Sequence, residues 1–175
     1  MDHLRDIGPR FHLDLNRAIV IGHSSGGQLG LWLAARRKLA KDSILFTSSP
    51  LSLKGVIVID GPPDLAAFRS IEQPMCGGPV VTKFMGGAPA EFPGRYREGS
   101  ATGQLPIGVK QEFFTRANPA QLNALVEQYV EAAEKVSDPV RRFTLHGESH
   151  FDGINPQAPG WQAVLASVRW LLRNP

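Results

Sequence analysis

Residues 18–30 read AIVIGHSSGGQLG. A run of β-branched and apolar residues stops at Gly22, a serine sits among small residues, and a second apolar pattern starts at once. Near-continuous apolar strands of this kind belong to parallel sheets covered on both faces. Gly22-His23-Ser24-Ser25-Gly26 fits G-x-S-x-G, and its setting between a buried strand and a helix is the one that pattern requires. The reason is steric. A sharp strand-to-helix turn holds the serine in a strained conformation, so Gly22 and Gly26, two residues to either side, must be free of side chains. Ser24 Oγ then projects above the sheet at the positive end of the following helix. The Ser25 N–H points to the same place, where it can stabilise a developing oxyanion. A rival reading makes Ser24 a helix N-cap in a plain glycine–serine turn. A phosphate-binding loop lacks support, because neither a GK[ST] ending nor G-x-G-x-x-G spacing is present.

Three further apolar runs read as strands: GVIVID (55–60), QEFFT (111–115) and RRFTL (141–145). Helical stripes lie between and after them. Leu29, Trp32 and Leu33 mark one that ends in Arg36-Arg37-Lys38; Leu122, Leu125, Val126, Tyr129, Val130 and Ala133 mark another. Trp161, Val164, Leu165, Val168, Leu171 and Leu172 mark the last. Alternating strand and helix predicts an α/β sheet with right-handed crossovers. The stretch 62–106 breaks the rhythm with glycine and proline (QPMCGGP, FMGGAPAEFPG), and its length predicts a cap or lid segment holding two short helices.

The 175 residues fit one domain, and an apolar share of 42% fits a globular chain with a sizeable core. The net charge of +3 comes from small basic groups, which read as solvated surface and predict no nucleic-acid partner. The single Cys76 excludes an internal disulfide and a cysteine-based zinc site. No His/Asp/Glu cluster has ligand spacing in the sequence, so neither a metal nor a cofactor is expected. The first residues, MDHLRDIGPRFHLDL, lack an apolar stretch of signal-peptide length, and no window reaches transmembrane length. A cytoplasmic protein without a membrane partner is the expectation.

IVIGHSSGGQLGLWLAAR resembles the nucleophile region of the α/β-hydrolases, in the esterase branch with GHSAGG-type elbows that includes kynurenine formamidase-like and dipeptidyl-peptidase-like enzymes. The resemblance continues in order through GVIVIDGPPDL, FMGGAPAEFPGRYREGS, LPIGVKQ and GESHFDGINP. It implies a Ser…Asp…His triad, an acyl-enzyme on Ser24, and hydrolysis of a small ester or amide without a cofactor. It places the general base at His150, in the loop between the last strand and the last helix, with His146 as the weaker alternative. His23 is expected to pack behind the serine.

The family's acid position falls at Asn118, which carries no charge. An amide there can orient a histidine but cannot stabilise its imidazolium, a change that costs about 10⁴ in turnover in serine proteases. Asn118, Pro119 and Gln121 also read as N-cap, N1 and N3 of the helix that follows. Asp60 and Asp64, after the second strand, are the candidate substitutes, with Asp64 also reading as the start of a helix.

By the same resemblance, residues 1–175 form a single partial domain: strands 5–8 of a three-layer α/β-hydrolase sheet, their helices and the 62–106 segment. About four strands and an HGG loop with a second oxyanion donor are expected to be missing. The strand before Ser24 would then be an exposed apolar edge, inviting self-association. Two functions remain open: a serine hydrolase, and an impaired homologue acting as a binding module.

Overall fold

The computed structural model describes residues 1–145 and 149–173. Four strands, β1 (Ile19–His23), β2 (Gly55–Ile59), β3 (Lys110–Arg116) and β4 (Val140–Leu145), form one sheet in the order β1-β2-β3-β4. All three pairings are parallel, with Val20 opposite Val56, Val58 opposite Phe113, and Phe114 opposite Phe143. Each strand therefore ends at the same edge of the sheet, and that edge carries the site.

The β2 run GVIVI is buried at all five positions because helices cover both of its faces. On one face Val56, Val58 and Phe113 pack with Leu31 and Ala34 of α2 (Ser25–Ala35) and with Val126 and Tyr129 of α7 (Ala120–Lys135). On the other, Ile57, Ile59, Phe114 and Leu145 meet Val164 and Leu171 of α8 (Pro159–Arg173). Two helices, the sheet and a third helix make the three layers expected.

Helix α2 departs from its predicted stripe. Its buried face is Gly27, Gln28, Gly30, Leu31, Ala34 and Ala35, while Leu29 is half exposed. The cause is close approach to the sheet: a Cβ on Gly27 would lie 2.9 Å from Val58, and one on Gly30 2.8 Å from Val20. Small residues are what let the helix axis settle there. Arg36–Lys38 form a 3₁₀ turn beyond its end.

The chain begins with α1 (Leu4–Phe11), a helix not among the elements expected from the sequence. Asp2 fastens it, accepting from Arg36 and from the Leu51 N–H at 2.7 Å. Residues 62–106 hold four short helices rather than two: α3 (Leu65–Phe68), α4 (Glu72–Cys76), α5 (Val80–Met85) and α6 (Pro93–Gly99). They gather Leu65, Phe68, Val81, Met85 and Tyr96 into a small core with Leu122 of α7. Gln28 Nε2 ties this segment to α2, donating to the Gly99 carbonyl at 2.7 Å.

β1 lies at one edge of the sheet and β4 at the other. Ile21, in the middle of β1, stays 43% exposed. No helix among the described residues is long and apolar enough to cross a membrane.

Candidate active site

Ser24 occupies φ 56°, ψ −124°, in the left-handed half of backbone space that side-chain-bearing residues rarely enter. Its N–H is pinned to the Ile59 carbonyl at 2.8 Å, and its own carbonyl accepts from Gly27 N–H at 2.9 Å as α2 begins. Ser24 stands at the N-cap position of α2, as the rival reading expected, but its side chain makes no capping bond. Such strain persists only where its surroundings over-determine it. Gly22 is part of those surroundings, since a Cβ there would sit 2.0 Å from the Gly26 carbonyl oxygen. Gly26 is not: a Cβ on it would meet nothing within 4 Å, so the crowding of the turn is one-sided. The Ser25 N–H opens α2 and has no acceptor among the described residues.

Ser24 and Ser25 open into a cleft of about 240 Å³. Its walls are apolar, built from Leu29 of α2 and from Leu65, Phe68, Val80 and Phe84 of the 62–106 segment. A neighbouring groove of about 450 Å³ shares Leu29 and Phe84 with it and runs on past Trp32, Ile44 and Leu45.

The C-terminal ends of the first three strands each contribute one polar side chain to a cluster beside the elbow. His23 ends β1, Asp60 follows β2, and Arg116 ends β3. Asp60 has φ 47°, a left-handed conformation that aspartate tolerates better than most residues. Its side chain is only 2% exposed. Arg116 supplies both carboxylate oxygens with donors: its backbone N–H reaches Oδ1 at 3.1 Å and its Nε reaches Oδ2 at 2.6 Å.

His150 comes down on this cluster from the loop beyond β4. Gly153 lets the loop approach, because a Cβ there would lie 2.4 Å from Ile59. His23 Nε2–H donates to the His150 carbonyl at 2.8 Å, and the two rings pack with centroids 4.3 Å apart. His23 therefore lies beneath the His150 loop and holds it by its backbone. His150 Nδ1 stands 3.3 Å from Asp60 Oδ2 and 3.5 Å from Arg116 Nη2. Burial holds the His150 imidazole below the usual histidine range, with the adjacent His23 ring and Arg116 acting in the same direction. The Asp60 hydrogen bond and charge pull the other way without prevailing. Among the described residues no hydrogen bond joins His150 to Ser24 Oγ; such bonds commonly tighten only with substrate in place.

The sequence candidates thus divide. Ser24, Ser25 and His150 converge at one edge of the sheet. Asp64 does not join them: it caps α3, accepting from the Ala67 N–H at 2.9 Å. The carboxylate that meets His150 is Asp60. Asn118 lies outside the helix it was expected to cap, since α7 starts at Ala120 behind Pro119. The side chain that ties down this turn is Asn123, donating to the Arg116 and Ala117 carbonyls at 2.7 and 2.9 Å. His146 lies outside the described residues. Arg116 had no signal in the sequence beyond its place at a strand end.

His23, Asp60 and His150 also bring three potential metal-ligand atoms within 4.8 Å of one another, a cluster the chain order conceals. The donor set suits a cation poorly, because the Arg116 guanidinium already binds Asp60 through Oδ2.

No protein-family model and no curated protein matches this chain. Solved structures do. A truncated carbohydrate esterase from gut microbiota superposes with a TM-score of 0.76 at 14% identity, covering 98% of this chain and 65% of that one. Esterase B from Lactobacillus rhamnosis gives 0.74 at 11% identity over 97% and 57%, in a structure with a tributyrin phosphonate. The butyrate-bound esterase Est2 from the Planctomycetes species Thermogutta terrifontis gives 0.67 at 14% over 97% and 60%. This chain spans about three-fifths of the length of these esterases. Its own architecture is thereby settled: four parallel strands, a strained serine elbow and helices on both faces are the α/β-hydrolase fold.

Proposed function

We propose that the chain is a serine hydrolase of the carboxylesterase kind, acting on a small carboxylic ester or amide through an acyl-enzyme on Ser24. The observation that carries this reading is the strained elbow at Ser24, set beside the His150–Asp60 pair at the same edge of the sheet. In the reaction, Ser24 Oγ attacks the substrate carbonyl carbon as His150 Nε2 takes its proton. The Ser25 N–H stabilises the resulting oxyanion, and Asp60 stabilises the imidazolium through Nδ1–H. His150 returns the proton to the departing alcohol or amine, and water then releases the acyl group by the same route. The apolar cleft at Ser24 favours a substrate with a small hydrocarbon acyl part.

One observation favours the alternative, an impaired hydrolase homologue serving as a binding module: Arg116 already engages both oxygens of Asp60. Labelling with a fluorophosphonate separates the two. The folded chain is expected to label at Ser24 and the Ser24→Ala variant not to label. A folded, monodisperse sample that takes up no probe overturns the hydrolase reading.

A further inference from the structure

The strand ends set a donor and an acceptor against one imidazole nitrogen. His150 Nδ1 is 3.3 Å from Asp60 Oδ2, to which it could only donate, and 3.5 Å from Arg116 Nη2, from which it could only accept. A neutral imidazole can serve one of these partners, and the choice decides which ring nitrogen is bare. If Nδ1 carries the proton, Nε2 is free to act as base toward Ser24. If Nδ1 is bare, the proton sits on Nε2 and the ring cannot accept one there.

Part of the accepting capacity of Asp60 is already taken. Both of its oxygens are already supplied by Arg116, and the Nε contact at 2.6 Å is the short charge-assisted one. Both contacts to Nδ1 are longer than a well-made hydrogen bond of roughly 2.7–3.2 Å. Arg116 is 10% exposed and Asp60 2%, so water does little to screen their pairing. The charged or titratable groups facing His150 among the described residues are His23 from β1, Asp60 from β2 and Arg116 from β3. The His23 Nε2–H is committed to the His150 backbone carbonyl and does not reach Nδ1.

We propose that Arg116 selects the tautomer of His150: by satisfying Asp60 and facing Nδ1 with a donor, it holds the resting imidazole with its proton on Nε2, and so restrains the base. Arg116 is then a positioning residue acting through His150 and Asp60. The proposal deepens the hydrolase reading and rests on it for its catalytic meaning, though not for its measurement.

The test is ¹H–¹⁵N spectroscopy of the imidazoles in the full chain labelled with ¹⁵N-histidine, with His150 assigned from the His150→Gln spectrum. Above its titration, wild-type His150 is expected to be mainly the Nε2–H tautomer. Arg116→Met is expected to convert it to Nδ1–H, raise its titration midpoint, and speed fluorophosphonate labelling at neutral pH about tenfold. Because that variant strips a buried carboxylate of its partner, Arg116→Lys serves as the second variant. Its single ammonium can remain on Asp60 but cannot also face Nδ1, so the tautomer is again expected to change, with a smaller midpoint shift. A wild-type His150 that is already Nδ1–H, or a tautomer unchanged in whichever variant folds, overturns the proposal. If the tautomer moves as expected while Ser24 never labels, the hydrolase reading falls and the tautomer control stands.

Discussion

The two glycines of the serine elbow are chemically identical and sit symmetrically about Ser24, yet their surroundings predict opposite responses to one methyl group. In Gly22→Ala the new Cβ would start 2.0 Å from the Gly26 oxygen, 2.3 Å from the Gly26 carbonyl carbon and 2.5 Å from the Gly27 nitrogen. Real Cβ contacts essentially stop at 3.0 Å, so the first turn of α2 must retreat by about 1 Å. All three obstacles are backbone, and no side-chain rotation relieves them. Overpacking costs about 1–3 kcal/mol, and an unyielding obstacle places this case near the upper figure. For a chain of this size that lowers Tm by roughly 6–12 °C. Displacing Ser24 by about 1 Å would slow the proposed reaction by about 10² as well. In Gly26→Ala the methyl meets open space inside a helix, where alanine gains about 0.5–1 kcal/mol over glycine and raises Tm by a few degrees. Thermal unfolding followed by circular dichroism measures both changes, and fluorophosphonate kinetics measure the loss in Gly22→Ala. Equal destabilisation by the two substitutions, or a harmless Gly22→Ala, would refute the one-sided account of the elbow.

Two further outcomes follow from the same geometry. Since burial lowers the His150 pKa below 6.5, neutral base persists as the solution is acidified past that value. Ser24 labelling should have its acid-side midpoint below pH 6.5, and a midpoint at or above 6.5 would contradict the environment described. The same lowering makes the unfolded chain take up the proton first, so the contribution of His150 to stability is complete above pH 6.5 and is lost as pH falls through the folded value. At the sheet edge, the side of β1 that no strand among the described residues pairs with and the exposed Ile21 are expected to drive self-association as concentration rises. Ile21→Lys should suppress it in light-scattering measurements, and a wild-type chain that stays monomeric throughout would dismiss the edge as an interface.

β1 and β2 were legible because each carries a dense apolar run bounded by turn residues; β3 and β4 carry only short apolar stretches among polar residues, and of the four only β2 is buried at every position. The elbow was legible because its spacing is tied to a steric need. Helix α2 was misread in detail: hydrophobic periodicity weights Leu29 and Trp32 above Gly27, Gly30 and Ala34, whereas close packing on the sheet selects the small face. The acid was only half legible. Asp60 and Asp64 are four residues apart, and their tasks are separated by a turn in left-handed backbone that no periodicity announces. Arg116 was invisible for a related reason. A basic residue at a strand end ordinarily reads as solvated surface, and only the register of β3 against β2 brings it onto a buried carboxylate.

The sheet order distributes the groups of the proposed site unevenly. Ser24 and His150 follow the two outer strands, while Asp60 follows one inner strand and Arg116 ends the other. The pair that modulates the chemistry thus rides on the most firmly held part of the molecule, and the pair that would perform it rides on the margins. Fraying of either margin would misalign nucleophile and base while the centre kept its order. Loss of competence and loss of fold are then separate events on heating, the first arriving at a temperature where most of the chain is still native.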